Sequence, residues 1–145
     1  MPKSKIFLPD INVWIAVWWE GHLHHAPAKL WFASVERAGA AFCRITQMGF
    51  LRLITNSRVM REDVVNQKHA WEIYEKIARD LRVIFLPEPE RLESVWKGLT
   101  QSPFGATNVW TDAYLAAFAS LHELALVSFD RSLARKDVPN SVLLH

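Results

Sequence analysis

The chain has 145 residues, of which 50% are hydrophobic and 22% are charged, and its formal net charge at pH 7 is +2. This length and apolar content suit a single domain, so we expect residues 1–145 to form one unit with a sizeable core. Its apolar runs stay well short of the roughly 20 residues that cross a bilayer, which excludes a membrane protein, while the mild charge permits nucleic-acid binding without requiring it.

Cysteine content and the first residues of the chain bear on its location. The single cysteine, Cys43, excludes an internal disulfide. The first residues lack the basic and apolar regions of a secretory signal peptide. We therefore expect a cytoplasmic protein.

The first part of the chain predicts alternating strands and helices. Residues 6–8 form a short apolar run, and a helix is expected over residues 13–19 with Asn12 as its N-cap. After the polar segment EGHLHHAP, a second helix is predicted over residues 28–37, ending at Gly39. The apolar piece AAFC then predicts a second strand.

The rest of the chain continues this alternation. The segment ITQMGFLRLIT carries apolar residues at helical intervals, namely Ile45, Met48, Leu51 and Ile54. An amphipathic helix in VNQKHAWEIYEKIARD precedes the strand LRVIFLPEP, and two helices follow in PEPERLESVWKGLT and TNVWTDAYLAAFASLHE. The runs LALVSFD and SVLLH predict the last strands. Short buried strands alternating with helices indicate an α/β fold, with a mostly parallel sheet covered on both faces.

Polar residues follow three of these predicted strands. Asp10 comes after the first strand, Asp130 after LALVSF, and Gln47 lies in the first turn of the helix after AAFC. Ligands of parallel α/β sheets bind beyond the carboxyl ends of the strands, so these groups point to one site. Asp112 lies within an apolar helix, where a buried carboxylate needs a partner or a cation, and Asn108 shares its helical face.

Oxygen-rich clusters of this kind suit Mg²⁺ or Mn²⁺ and do not suit zinc. Such ions activate water and stabilise the charge on a phosphate during displacement. The residues alone therefore indicate metal-assisted hydrolysis of a phosphodiester bond.

Four segments carry a resemblance to a known family: LPDINVWIAV, CRITQMGFLRLITN, WTDAYLAAFA and LVSFDRSL. In this order and spacing they resemble the PIN-domain ribonucleases, specifically the VapC toxins of toxin–antitoxin pairs. The resemblance implies a three-layer α/β/α sandwich, a homodimer, Mg²⁺-dependent endoribonuclease activity and inhibition by a VapB-like antitoxin. It places the family's metal-binding acids on Asp10, Asp112 and Asp130, and Ser128 matches a position where the family often has Ser or Thr. The resemblance also implies that the substrates are RNAs, and single-stranded loops of tRNA or rRNA are the expected targets.

Gln47 departs from the family pattern, because many PIN domains have an acid in this helix. We count it with the three aspartates as a candidate catalytic residue, interpret it as a variant within the family, and expect the loss of charge to weaken a second metal site. The alternative hypothesis is a catalytically weak PIN fold that serves as a protein-binding regulatory subunit.

Several residues have a structural interpretation beside the functional one. Asp10 alone is explained equally well as a helix-start carboxylate, and Asp130 as a turn residue, but the matching segments favour metal ligation. Asn12 is interpreted as a cap that steadies Asp10. Arg44 and Arg131 are candidate contacts for RNA phosphates, although arginines, including the nearby Arg135 and Lys136, are usually a solvated surface.

Two aromatic groups complete the predictions. His22, His24 and His25 lack a second ligand cluster at zinc spacing, which favours a solvated loop or helix start. The tryptophans Trp14, Trp18, Trp19 and Trp31 are suited to stacking on RNA bases, but packing in the core or in a dimer interface is the favoured interpretation.

Overall fold

The structure, a computed structural model, describes residues 5–105, 107–134 and 141–145. Within these ranges the sheet has the strand order β3-β2-β1-β4-β5, and every pairing is parallel. The strands are β1 (Phe7–Pro9), β2 (Ala40–Phe42), β3 (Val83–Phe85), β4 (Ala125–Ser128) and β5 (Val142–Leu143). Each lies within or beside an apolar run that predicted it, which confirms the parallel α/β prediction.

Helices connect the strands and cover the sheet. They are α1 (Ile11–Trp18), α2 (His25–Ala33), α3 (Arg44–Ile54), α4 (Ser57–Met60), α5 (Gln67–Ala78), α6 (Leu92–Leu99), α7 (Val109–His122) and α8 (Arg131–Ala134), with a 3₁₀ turn at Arg61–Asp63. The short helices α4 and α8 were not predicted. Across the described part of the chain, no helix combines the length and apolar character needed to cross a bilayer.

Two apolar cores lie on the two faces of the sheet. One joins the sheet to α6 and α7 and contains Leu8, Ala41 and Phe118. The other joins it to α1, α3 and α5 and contains Trp14, Phe42 and Phe50. Neighbouring residues of β2 enter opposite cores because strand side chains alternate between faces. The predicted α/β/α arrangement is therefore confirmed.

Helix α1 begins earlier than predicted, and this changes the role of Asn12. The backbone carbonyl of Asp10 accepts hydrogen bonds from Val13 and Trp14 at 3.0 and 3.2 Å, and Asp10 has extended backbone angles. Asp10 therefore occupies the N-cap position, while Asn12 lies exposed inside the first turn. The prediction that Asn12 caps the helix is wrong, because the helix starts as soon as β1 ends.

The apolar positions predicted for helix α3 are only partly buried. Ile54 is buried as the pattern indicates, but Met48 is 57% exposed, and Gly49 and Phe50 are buried instead. A Cβ atom at Gly49 would lie 2.2 Å from Cδ1 of Ile11, so the absence of a side chain there lets α3 approach α1 closely. This close approach sets which face of α3 meets the core.

Candidate active site

The ends of β1 and β4 bring two acids together through one serine. The Oγ of Ser128 donates a hydrogen bond to Oδ2 of Asp10 at 3.1 Å, across 118 positions of the sequence. The same Oγ accepts a hydrogen bond from the backbone N–H of Asp130 at 2.9 Å. Ser128 is buried, so this link is shielded from water. Asp10, Ser128 and Asp130 therefore form a connected group at the sheet edge.

The parallel register explains why these residues meet. Pro9 pairs with Val127, and the backbone N–H of Asp10 donates to the carbonyl of Val127 at 2.8 Å. Because parallel neighbours end at the same edge, the residues after β1 and β4 emerge side by side. The sequence prediction that Asp10 and Asp130 share one edge is confirmed.

Burial dominates the electrostatics of this group. Desolvation raises the pKa of Asp10, and the neighbouring charge of Asp130 raises it further. The hydrogen bond from Ser128 and the backbone N–H groups of Ile11 and Asn12 lower the pKa, but by less than burial raises it. The ionised form of Asp10 is thus less favourable here than in a free aspartate, and a nearby cation would favour it.

Asp112 lies in the first turn of α7, where Nδ2 of Asn108 donates to its Oδ2 at 3.0 Å. This contact agrees with the prediction that Asn108 and Asp112 share one helical face. The expectation that Asp112 is buried within an apolar helix is wrong, because α7 begins at Val109 and leaves Asp112 half-buried. A carboxylate in this turn is stabilised by the positive end of the helix dipole.

One contact joins the second turn of α7 to the segment that follows β3. The Tyr114 hydroxyl donates to Oε1 of Glu88 at 2.8 Å, and Glu88 lies three residues beyond the end of β3. Among the described residues, no three His, Cys, Asp or Glu side chains are arranged to hold a metal ion. The three-acid metal site remains a prediction.

Gln47 is buried, and its carboxamide oxygen is engaged by Arg44. The Oε1 of Gln47 accepts a hydrogen bond from Nη1 of Arg44. The exposed guanidinium of Arg44 lies over the ring of Phe85, 4.9 Å from its centroid. The sequence placed Gln47 and Arg44 in one helix turn but did not predict this contact.

Two other features were missed by the sequence analysis. Glu88 follows a strand end as Asp10 does, so the same positional rule applied to LPEP would have found it. Phe129, between Ser128 and Asp130, stacks on His24 with 4.4 Å between ring centroids. No sequence signal indicated that stack, since it joins distant segments. His25 begins α2 and His24 occupies its N-cap position, as the helix-start interpretation predicted.

The remaining predicted residues are spread around the site. Arg131 is exposed and follows Asp130 directly, while Arg135 and Lys136 lie outside the described residues. Trp14 is fully buried and stacks on Phe42 with 4.0 Å between ring centroids, which confirms its predicted core role.

A separate groove of about 780 Å³ lies between α1, α2 and α5. It is lined by Trp18, Phe32 and Ile73, among others, and by none of the predicted acids.

Known proteins of this architecture match nearly the whole chain. The PIN domain family model matches residues 7–139. Ribonuclease VapC41 of Mycobacterium tuberculosis (strain ATCC 25618 / H37Rv) is 34% identical over 135 residues, which cover 90% of this chain and 92% of that relative.

Solved structures show the same fold at lower sequence identity. The crystal structure of Mycobacterium tuberculosis VapC20, described as a sarcin–ricin loop cleaving toxin, has a TM-score of 0.71 at 17% identity and covers 94% of this chain and 98% of its own. A toxin–antitoxin complex from Klebsiella pneumoniae has a TM-score of 0.61 at 19% identity, covering 93% and 94%. The fold, the family model and VapC41 agree, and this chain belongs to the PIN-domain family, within its VapC group.

Proposed function

We propose that this protein is a cytoplasmic, metal-dependent endoribonuclease that acts as the toxin of a toxin–antitoxin pair. The observation that carries the proposal is the Ser128 link between Asp10 and Asp130 at the ends of β1 and β4. Relatives named as ribonucleases, with VapC41 covering 90% of the chain, support the same activity here. The substrate would be RNA and the reaction hydrolysis of its phosphodiester bonds.

The donor set suits a magnesium ion. Asp10, Asp112 and Asp130 would hold it, and Mn²⁺ would substitute for it, because hard divalent cations prefer carboxylate oxygen. The raised pKa of Asp10 supports this fit, since a buried carboxylate beside another carboxylate gains most from a nearby positive charge. Bound metal would lower the pKa of an attacking water and offset negative charge on the scissile phosphate.

Other side chains would prepare the acids for this role. The hydroxyl of Ser128 donates to Asp10 and favours its ionised form. The carboxamide of Asn108 donates to Asp112 and orients it. Both contacts help to fix the orientation of the two carboxylates. The acids are thus held in place before substrate arrives.

The proposed substrate is single-stranded RNA, such as a loop of tRNA or rRNA. Unpaired nucleotides can be splayed into an acidic pocket that duplex RNA reaches poorly. Arg44 and Arg131 are exposed at the starts of α3 and α8, the helices that follow β2 and β4. Their guanidinium groups would contact phosphates flanking the cleavage site.

A VapB-like antitoxin is the proposed protein partner. The support is structural similarity to a toxin–antitoxin complex, together with the need of a host to restrain a ribonuclease. We also propose a homodimer, on the basis of the family resemblance. Co-expression with the adjacent small reading frame, followed by size-exclusion chromatography with light scattering, tests both assignments.

The test of activity is cleavage of a mixed RNA pool by purified protein with Mg²⁺, with Mn²⁺ and with a chelator. We expect metal-dependent cutting that is lost in Asp10→Asn and in Asp130→Asn. Asp63→Asn is the matched control, because it makes the same chemical change at an exposed carboxylate, which accepts a hydrogen bond from Trp19. That control should cut RNA as the wild type does.

Two outcomes would contradict the proposal. If folded Asp10→Asn cuts RNA as fast as the wild type, the acids do not carry the reaction. If the wild type cuts with none of the metals and binds neither Mg²⁺ nor Mn²⁺ by calorimetry, the binding-subunit hypothesis takes its place. Gln47→Glu would then show whether an acid at this position restores activity.

A further inference from the structure

We propose that Gln47 is a positioning residue for Arg44, and that the two form a phosphate-binding site at the start of α3. This inference rests on the proposed RNA substrate. It assigns Gln47 a role through Arg44 in place of direct participation beside the acids.

The position of Arg44 suits a phosphate contact. It is the first residue of α3 and lies two positions after the end of β2, which pairs with β1, whose end carries Asp10. Its guanidinium is held from two sides: Nη1 donates to Gln47, and the ring of Phe85 lies 4.9 Å away. An arginine fixed in this way loses less conformational entropy on binding a ligand than a free surface arginine does.

The carboxamide of Gln47 has a fixed orientation. Only 8% of the residue is exposed, and its Oε1 accepts a hydrogen bond from Nη1 of Arg44. A buried side chain has few alternative rotamers, so this oxygen stays directed at the guanidinium.

The neutrality of Gln47 matters for the charge of Arg44. A glutamate at position 47 would form an ion pair with the guanidinium and cancel much of its field. Glutamine holds the arginine and leaves its positive charge available. Among the described residues, the ion pair is between Arg82 and Asp80. No described carboxylate lies within 4.0 Å of the Arg44 guanidinium.

The guanidinium also keeps hydrogen-bonding capacity. Arginine has five N–H donors, and the contact with Gln47 uses the Nη1 end. The exposed remainder can bind two phosphate oxygens in a forked geometry, which a lysine cannot reproduce. The pair therefore presents a preoriented, uncompensated cation close to the proposed cleavage site.

The experiment measures binding of a single-stranded RNA oligonucleotide by fluorescence anisotropy, in chelator so that no cutting occurs, across a series of salt concentrations. We expect Arg44→Ala to weaken binding about tenfold. The slope of log affinity against log salt should fall by about 0.7, the value for one phosphate contact on a single strand. Arg52→Ala, an exposed arginine in the last turn of the same helix, should leave the slope unchanged.

The variants of position 47 separate positioning from metal binding. Gln47→Ala and Gln47→Glu should each weaken RNA binding and reduce the salt slope, and neither should add to Arg44→Ala in the double variants. Calorimetric titration with Mn²⁺ should give the wild-type affinity for Gln47→Ala. Arg44→Lys should keep the salt slope but bind RNA more weakly than the wild type.

Three results would overturn the proposal: an unchanged salt slope in Arg44→Ala, RNA binding by Gln47→Glu equal to the wild type, or a loss of Mn²⁺ affinity in Gln47→Ala with RNA binding intact. Circular dichroism checks that the buried Gln47 variants fold, and Arg44→Ala tests the exposed partner independently. Because the readout is binding in chelator, a failure here is distinct from a failure of RNA cleavage, which the Asp10→Asn experiment reports.

Discussion

Ser128 donates a hydrogen bond from its hydroxyl to Asp10 at 3.1 Å, and this contact ties the end of β4 to the end of β1. The hydroxyl donates in this bond because an ionised carboxylate can only accept, and the same oxygen accepts from the backbone N–H of Asp130. The serine proton therefore points at the Asp10 carboxylate. A donor aimed at a carboxylate stabilises its charged form, which is the form that a cation binds.

Replacement of Ser128 tests this relationship. Ser128→Ala removes the donor and should raise the pKa of Asp10 above its already raised value. We expect RNA cleavage near neutral pH to fall about tenfold, the cost of one hydrogen bond to a charged group. The acid side of the pH–rate profile should move to higher pH. Ser128→Thr keeps the hydroxyl and should retain most activity, whereas equal activity in Ser128→Ala would contradict this role.

Asp10 should also lower the stability of the metal-free protein. Burial raises the pKa of Asp10 in the folded state, so the unfolded chain releases this proton at lower pH than the folded protein does. The free energy of unfolding therefore decreases as pH rises from the unfolded pKa, about 3.9, through the folded pKa. Asp10→Asn removes this penalty, and in chelator it should be more stable than the wild type at neutral pH.

Urea denaturation at several pH values measures the effect of Asp10→Asn. The difference in unfolding free energy should vanish below the pKa of an unfolded aspartate, where both proteins carry a neutral side chain. A variant that is less stable than the wild type at neutral pH would show that Asp10 contributes more to the fold through its hydrogen bonds than it costs through burial.

Metal addition should reverse the order of stability. A ligand that binds only the folded state stabilises it, by about 2.7 kcal/mol at a concentration 100 times its dissociation constant. We therefore expect Mg²⁺ or Mn²⁺ to raise the melting temperature of the wild type and to leave Asp10→Asn unchanged. Differential scanning calorimetry checks this, with Ca²⁺ as a comparison ion. Equal shifts in both proteins would place the metal elsewhere.

The sequence predicted that Asp10 and Asp130 share one edge of the sheet, because strand ends are marked locally. Asp10 and Asp130 each follow an apolar run, and parallel strands must deliver such residues to one edge. The contact between Asn108 and Asp112 also follows from helical spacing alone. These features depend on a few neighbouring residues, which is why the printed sequence suffices to place them.

Features that depend on distant packing were not predicted. Helix α1 starts directly at the end of β1, so Asp10 took the cap position assigned to Asn12. The contacts Phe129–His24 and Glu88–Tyr114 join segments far apart in the chain. Likewise, the buried face of α3 is set by its approach to α1, which the apolar spacing of α3 does not report.

Replacement of Gly49 is the most direct test of how closely α3 approaches α1. A Cβ atom there would meet Ile11, 2.2 Å from Cδ1 and 2.8 Å from Cγ1, so Gly49→Ala must displace that side chain or separate the helices. We expect a loss of about 1 to 3 kcal/mol in the free energy of unfolding, the usual cost of overpacking a core. Ile11→Val removes Cδ1 and should recover part of this loss.

Gly98 provides the matched control. It lies in α6 with nothing within 4 Å of an added Cβ, so Gly98→Ala should stabilise the protein by about 0.5 to 1 kcal/mol through helix propensity alone. Chemical denaturation of both variants measures the contrast. If Gly49→Ala gained stability as Gly98→Ala does, α1 and α3 would have to be further apart than the structure places them. Because Asp10 caps α1 and Arg44 begins α3, such a change would also separate Asp10 from the proposed phosphate site.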